Sequence, residues 1–421
     1  MADFPMSDDF HRIKRLPPYV FEEVNRLKAA SRAKGNDIID LGMGNPDLPT
    51  PAHIEEKLIE TVGKPKVNRY SASRGIPGLR RAQVGYYERR FGVKLDADTE
   101  VVATLGSKEG FANIAQAITA PGDVVLVPNP TYPIHQFGFI LSGGVIRHLP
   151  AEPGEAFMQA LDRSMTHSVP KPIAVVLNYP SNPTAYVADI EFYREVVAFA
   201  RKHDLIILSD LAYAELYFDD NPPVSILQVE GARDLAVEFT SMSKTYSMPG
   251  WRMGFAVGNE RLIAALARVK SYLDYGAYTP VQVAAAAALN GPQECVAEVR
   301  EIYKARRDVL VDSFGRSGWD VSPPNSTMFA WTKVPPQFAH LGSLEFSKLL
   351  LENADVAVSP GIGFGEHGEG YVRIALVENE NRIRQAARNI KRFFSKAETE
   401  LHNVIPHPNA KVVSGNGSGA S

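Results

Sequence analysis

Between residues 98 and 259, short apolar runs alternate with segments of helix length, and this alternation limits the possible folds more than any other feature. The runs lie at 101–105, 124–128, 145–149, 173–177, 205–209, 236–240 and 253–257. Strands separated by helices are how a mainly parallel sheet wrapped by helices reads. The expected class is therefore α/β, with a large, mainly parallel seven-stranded sheet.

The chain has 421 residues, more than the ~250–300 beyond which a single core stops growing, so two domains are expected. After residue 290 the pattern changes to a charged helix through Glu298-Val-Arg-Glu-Ile-Tyr-Lys-Ala-Arg-Arg. Short strands punctuated by Pro and Gly follow, then a final helix at 381–396, which reads as a smaller α+β domain. An early strand at 37–41 and the turn Gly42-Met-Gly-Asn-Pro-Asp are assigned to that second domain and not to the sheet. The expected division is 1–60 as an N-terminal arm and part of the small domain, 61–290 as the large domain and 291–405 as the small C-terminal domain. Residues 406–421 have too little apolar surface to fold and are expected to be disordered.

With 45 basic and 48 acidic residues, the formal charge of −3 provides no footprint for nucleic acid or a polyanionic membrane. No apolar run approaches the ~18 residues a membrane span needs. Residues 1–15 mix both signs of charge without an apolar stretch, so no export is expected. A single cysteine, Cys295, excludes an internal disulfide framework and every multi-Cys metal motif. No metal is expected, and the setting suits a reducing cytoplasm.

In an open α/β sheet the ligand sits outside the carboxyl ends of the strands, so polar residues just past each run matter most. The first run leads into Gly106-Ser107-Lys108-Glu109-Gly110 and a helix expected at 111–118. Backbone N–H groups there, with the Ser107 hydroxyl, would make a phosphate cup. The run at 173–177 ends in Asn178-Tyr-Pro-Ser-Asn182-Pro-Thr, whose prolines stiffen the turn and free the Asn182 amide to donate. The next run delivers Asp210, with Tyr213 expected one helical turn later. Ser241-Met-Ser-Lys244 follows the run at 236–240, with Arg252 eight residues beyond the lysine. Desolvation and that guanidinium would lower the basicity of the Lys244 amine and make it a nucleophile. Each piece alone has a plain structural reading, as a turn, a helix cap or a surface lysine. Pyridoxal phosphate needs an amine for its aldehyde, a carboxylate for its ring nitrogen and a cup for its phosphate, and all three stand at strand ends of one domain.

Those motifs resemble the class I and II aminotransferases of the aspartate aminotransferase fold, fold type I among pyridoxal-phosphate enzymes, over about residues 15–395. Arg15-Leu-Pro-Pro-Tyr-Val-Phe, Tyr70-Ser-Ala-Ser-Arg-Gly-Ile-Pro and Ser359-Pro-Gly-Ile-Gly-Phe-Gly look most like the bacterial alanine (glutamate–pyruvate) aminotransferases. The resemblance implies that Lys244 carries the cofactor and shuttles the substrate's proton, and that Asp210 pairs with the ring nitrogen. It implies that Asn182 and Tyr213 bond the phenolic oxygen, that Tyr132 stacks on the ring, and that Ser107, Lys108, Ser241 and Arg252 hold the phosphate. Arg373, in Gly370-Tyr-Val-Arg-Ile-Ala, matches the arginine that grips the substrate's α-carboxylate, and Gly44 the glycine that leaves it room. Tyr70 matches a tyrosine that reaches the neighbouring subunit's phosphate, which implies a homodimer with shared sites. Lys108 and Glu109 depart from better-known members, which have small polar residues there, but related alanine and diaminopimelate aminotransferases also use the lysine.

The implied activity is a ping-pong exchange between a small amino acid, alanine first, and a 2-oxo acid. Other donors remain open, namely aspartate, aromatic amino acids, methionine and LL-diaminopimelate, as does a lyase of the same fold. A non-catalytic pyridoxal-phosphate module would need an appended basic domain, for which the N-terminal arm has no room. Gly363-Phe-Gly-Glu-His-Gly matches a dinucleotide fingerprint, but the residues after it read as a strand, so no helix end would meet a pyrophosphate.

Overall fold

The computed structural model describes residue 10, residues 12–17 and residues 19–404, with side chains described to residue 396. The tail expected at 406–421 lies outside the described residues. In chain order the strands are β1 (Ile39–Asp40), β2 (Val101–Thr104), β3 (Val124–Asn129), β4 (Val145–Pro150), β5 (Pro172–Asn178) and β6 (Ile206–Asp210). They continue as β7 (Ala236–Ser241), β8 (Gly254–Gly258), β9 (Phe329–Lys333), β10 (Val356–Ala357), β11 (Ser359–Pro360) and β12 (Tyr371–Ala375).

The large sheet has seven strands in the order β2-β8-β7-β6-β5-β3-β4. Strands β3 to β7 are mutually parallel, and β8 runs antiparallel between β7 and β2. Successive side chains face opposite ways. Val124 and Leu126 join Val175, Leu177 and Ile207 under one face, whereas Val125 and Val127 join Val176, Leu208 and Phe239 under the other. Both faces are covered, so all of β3 is buried and apolar residues follow one another without alternation.

Every expected strand of this sheet ends within one residue of the observed one. The shifts matter at the carboxyl ends, where Asn178, Asp210 and Ser241 prove to be the last residues of β5, β6 and β7. One helix differs more. It was expected to begin at residue 111 but runs Ser107–Ile118, because Gly106 forms the N-cap and the Glu109 carboxylate accepts the Leu105 N–H at 2.9 Å, closing the turn early.

The chain runs outward from β3 to β4 and then returns to the other side of β3 to lay down β5, β6 and β7. Loops leaving β3 and β5 therefore diverge, and a crevice opens at the carboxyl ends where the order reverses.

A second packed unit contains the antiparallel sheet β11-β12-β9 and the parallel pair β1-β10, in which Ile39 lies opposite Val356. The N-terminal strand thus belongs to this unit, although it spans Ile39–Asp40 and not the expected 37–41. Its core gathers Phe314, Phe346 and Phe394 around the buried indole of Trp319, at centroid distances of 5.4–6.3 Å. The terminal helix, expected at 381–396, runs Glu380–Val404. Gly363 and Gly368 lie in short 3-10 turns that lead into β12, so the dinucleotide reading has no helix to stand on. Among the described residues no helix is long and apolar enough to cross a membrane.

Glu238 lies wholly buried in β7, accepting from Ser225 Oγ at 2.5 Å, Tyr87 Oη at 3.0 Å, Ser209 Oγ at 3.1 Å and the Ile226 N–H at 3.1 Å. Burial pushes its carboxyl up to about 7 despite these donors. An unfolded glutamate titrates near ~4.3. As pH rises from there towards 7, the unfolded chain loses this proton while the folded one keeps it, so folding stability falls through that window and then levels off. Glu238→Gln removes this dependence. In urea unfolding at a series of pH values, the variant should gain stability relative to the wild-type chain between about pH 4.5 and 7; a difference independent of pH would contradict the assignment.

Candidate active site

Lys244 follows β7 in the short helix Met242–Thr245, which Ser241 caps by accepting the Ser243 N–H at 3.2 Å. The lysine is half-buried, and its Nζ donates to the Gly44 carbonyl at 3.2 Å across the crevice. Burial first, then the charges of Arg373 and Arg252, push the amine down to about 7. Near neutrality a substantial share is therefore free base and nucleophilic.

Asp210, at the tip of β6, is buried and held from two sides. His135 Nε2 lies 2.9 Å from its Oδ2, and the Ala212 N–H donates to its Oδ1 at 3.1 Å. His135 is itself fully buried and meets Thr131 Oγ1 through Nδ1 at 2.8 Å. The sequence reading missed this histidine. Its signal was the spacing of Thr131 and His135, one helical turn apart just past β3, but nothing local pointed it at Asp210. Tyr213 lies in a turn and not on a helix, because the Asp210 carboxylate caps Ala212 and bends the chain across the crevice. Its buried ring lies 5.7 Å from Phe329 and 5.9 Å from Lys244 Nζ. Tyr132, past the end of β3, lines the same cavity, and burial raises its hydroxyl above the usual tyrosine range.

Gly106 shapes the turn after β2. Its φ of +85° is a left-handed value, and an added Cβ would lie 2.3 Å from Arg252 Nη2, so only glycine fits. A glycine N-cap has no side-chain acceptor. Among the described residues no acceptor takes the N–H groups of Ser107, Lys108 or Glu109, and an anion could. Arg252 stands beside this turn, donating to Leu105 O at 3.1 Å and Pro249 O at 2.9 Å. Lys108 is exposed at the rim, 5.9 Å from the Tyr132 ring centre.

On the other side β12 presents Arg373. Its Nη1 donates to Asn182 Oδ1 at 2.7 Å, and its Nη2 to Gly42 O at 3.2 Å and Ser359 Oγ at 3.4 Å. Phe329 and Phe364 lie 4.0 and 4.6 Å from the guanidinium carbon. Burial pushes the group down to about 10, so it stays charged at neutral pH. Nε is buried without a partner among the described residues. Such an orphan costs roughly 1–3 kcal/mol, which an entering carboxylate would recover. Asn182, expected to leave its amide free to donate, turns its carbonyl to Arg373 and leaves its amide nitrogen without a partner among the described residues. A Cβ on Gly44 would stand 2.3 Å from Phe329 Cε1 and 3.4 Å from Arg373 Nη2, so this close passage also requires glycine.

Gly44, Ser107, Lys108, Tyr132, Asn182, Asp210, Tyr213, Ser241, Lys244, Arg252 and Arg373 all line one cavity of about 270 Å³. Tyr70 does not. It is 84% exposed, with its ring 4.5 Å from that of Tyr275. Among the described residues no cluster of His, Cys, Asp and Glu could hold a metal ion. Pyridoxal phosphate fits the cavity on features of the fold itself: a weakly basic amine, a buried carboxylate oriented by His135, and free N–H groups beside a glycine with no space for a Cβ.

A family model for aminotransferase class I and II matches residues 36–390. The chain is 71% identical over 398 residues to a Rhizobium meliloti (strain 1021) protein provisionally described as aminotransferase AatC, covering 94% of this chain and 98% of that one. It is 52% identical to the glutamate–pyruvate aminotransferase AlaC of Escherichia coli (strain K12), covering 94% and 96%, and 43% identical to the LL-diaminopimelate aminotransferase of Moorella thermoacetica, covering 92% and 98%. Among solved structures, substrate-bound BacF from Bacillus subtilis superposes with a TM-score of 0.85 at 35% identity, covering 92% of this chain and 98% of that one. A double mutant of Thermus thermophilus aspartate aminotransferase superposes with a TM-score of 0.84 at 28% identity, covering 92% and 100%.

The depressed amine predicts how the site loads. Cofactor-free protein mixed with pyridoxal phosphate should gain visible absorbance at a rate that rises with pH to a plateau, with its midpoint near 7. A midpoint near the ~10.4 of an ordinary lysine would show that the cavity does not tune Lys244.

Proposed function

The chain belongs to the class I and II aminotransferases, which use pyridoxal phosphate, and from this premise we propose that it exchanges the amino group between alanine and 2-oxoglutarate in a ping-pong cycle. The observation that carries the reading is the buried Arg373 fork, with its unpartnered Nε, in the same cavity as the weakly basic amine of Lys244. One group suits an α-carboxylate and the other the hydrogen on the adjacent carbon. Likeness to the glutamate–pyruvate enzyme supports alanine as donor, and likeness to the LL-diaminopimelate enzymes makes that substrate the second choice.

In this reading Arg373 clamps the carboxylate, and Gly44 leaves space for it. Pyridoxal phosphate, when bound, supplies an electron sink that weakens the Cα–H bond of the amino acid joined to it. Lys244 Nζ takes up the Cα proton and would deliver it to the carbon of the cofactor's former aldehyde, a task suited to an amine that titrates near neutrality. The Asp210 carboxylate, aimed by His135, pairs with a protonated ring nitrogen. Asn182 and Tyr213, which line the same cavity, would hydrogen-bond the ring's phenolic oxygen, and Tyr132 would pack on the ring. Ser107, Lys108, Ser241, Arg252 and the free first-turn N–H groups hold the phosphate. Tyr70, exposed in the single chain, reaches the phosphate site of a second copy, so the working unit is a homodimer with shared sites. Its setting is the cytoplasm, in keeping with a lone cysteine and no disulfide.

A donor-by-acceptor screen tests the substrate. Alanine with 2-oxoglutarate should give glutamate and pyruvate faster than LL-diaminopimelate gives its product; the reverse order would move the assignment to the second choice. Ammonia released without any oxo-acid acceptor would mark lyase chemistry. Arg373→Ala is expected to raise the KM for every donor roughly ten- to a hundredfold, while the cofactor absorbance is retained. An unchanged KM would take Arg373 out of the substrate site.

A further inference from the structure

Glu109 is hard to reconcile with a phosphate site. It is the third residue of the helix Ser107–Ile118, in the very turn whose first three N–H groups have no acceptor among the described residues. A carboxylate there favours the helix but repels an incoming phosphate. The fold does not leave that charge bare. Glu109 Oε2 accepts the Leu105 N–H at 2.9 Å, and Oε1 accepts both the Asn113 amide and Lys270 Nζ, the latter at 2.9 Å. Lys270 comes from the helix Glu260–Leu273 and has no exposed side-chain surface. Its Nζ also meets Asp274 Oδ2 at 3.0 Å, and Asp274 Oδ1 accepts the Gly276 N–H at 2.7 Å. An amine is rarely buried this completely, and such burial needs charged partners. Leu105, which Glu109 anchors through its N–H, offers its carbonyl to Arg252 Nη2 at 3.1 Å.

We propose that Lys270 is a positioning residue for the cofactor's phosphate: it neutralises Glu109, so that the carboxylate can hold the corner at Leu105 and Gly106 without repelling the anion bound one turn away. The inference rests on reading the turn at Ser107 as the phosphate site. Lys270 touches neither cofactor nor substrate in this scheme and acts only through Glu109. The arrangement requires the two charges to be matched, so removing the amine alone should be worse than removing amine and carboxylate together.

Cofactor-stripped, full-length protein is titrated with pyridoxal phosphate and, separately, with pyridoxal, which lacks the phosphate. The wild-type chain should bind pyridoxal phosphate much more tightly than pyridoxal; no preference would overturn the phosphate reading and this inference with it. Lys270→Met should weaken pyridoxal phosphate by roughly tenfold or more, as expected for an unmasked charge about one helical turn from the anion, and shift pyridoxal by less than about threefold. Lys270→Met combined with Glu109→Gln should recover most of that loss. Equal losses for both ligands, or a double variant as weak as Lys270→Met, would reduce Lys270 to a packing role and overturn the proposal. Should Lys270→Met alone not fold, Lys270→Met is combined with Asp274→Asn, which leaves Glu109 as the one carboxylate freed of its lysine, and compared with the same variant carrying Glu109→Gln as well. The variant with Glu109→Gln should bind pyridoxal phosphate roughly tenfold or more tightly, and a gap below about threefold overturns the proposal.

Discussion

The guanidinium of Arg373 is where three distant parts of the chain are joined. Strand β12 supplies it, the loop after β5 meets it through Asn182, and the N-terminal turn meets it through the carbonyl of Gly42. A buried cation needs partners, and this one has those acceptors and two aromatic faces, Phe329 and Phe364. Removing any of these acceptors would leave a further N–H of a buried cation without a hydrogen-bond partner. The same N-terminal turn offers the Gly44 carbonyl to Lys244, so two cations from opposite sides of the crevice are tied within one short segment. Arg373 also acts on Lys244 at a distance, because its charge adds to burial in lowering the basicity of the amine.

The large sheet explains why these groups converge. Reversal of strand order beside β3 opens the crevice, and β5, β6 and β7 each end at its floor with a polar residue, namely Asn178, Asp210 and Ser241. Buried on both faces, these strands are stiff supports, and what varies from loop to loop is chemistry and not position. His135 reaches Asp210 from the helix Ile134–Leu141 that follows β3, so a neighbouring strand's connection aims the carboxylate. The rest of the cavity wall comes from the second unit and from Phe21 of the N-terminal helix Val20–Ala33, whose ring packs on Phe364 at 5.1 Å.

The seven strands were legible because fully covered strands are written as continuous apolar runs, and their ends were where polar residues suddenly appeared. This made Lys244, Asp210, Asn182 and Ser107 readable as candidates before their distances were known. Arg373 was harder. Its strand is short and ordinary, and only resemblance to a family singled it out. Features that depend on contacts between distant segments were not legible at all. His135 gives no local sign that it faces Asp210, Gly106 does not reveal that Arg252 fills the space a Cβ would need, and Lys270 looks like any amphipathic helix lysine until Glu109 and Asp274 close around it. Tyr213 was placed on the correct side but on the wrong element, because the capping of Ala212 by Asp210 is itself a tertiary consequence of the bend.

The central claim is that one amine, made weakly basic by its surroundings at the end of β7, carries the cofactor. Reduction of the freshly purified, cofactor-loaded protein with borohydride, followed by peptide mapping, tests it most directly. The account predicts a single reduced pyridoxal-phosphate adduct on the peptide that contains Lys244. An adduct confined to another lysine, or a loaded protein from which no adduct can be trapped, would contradict it.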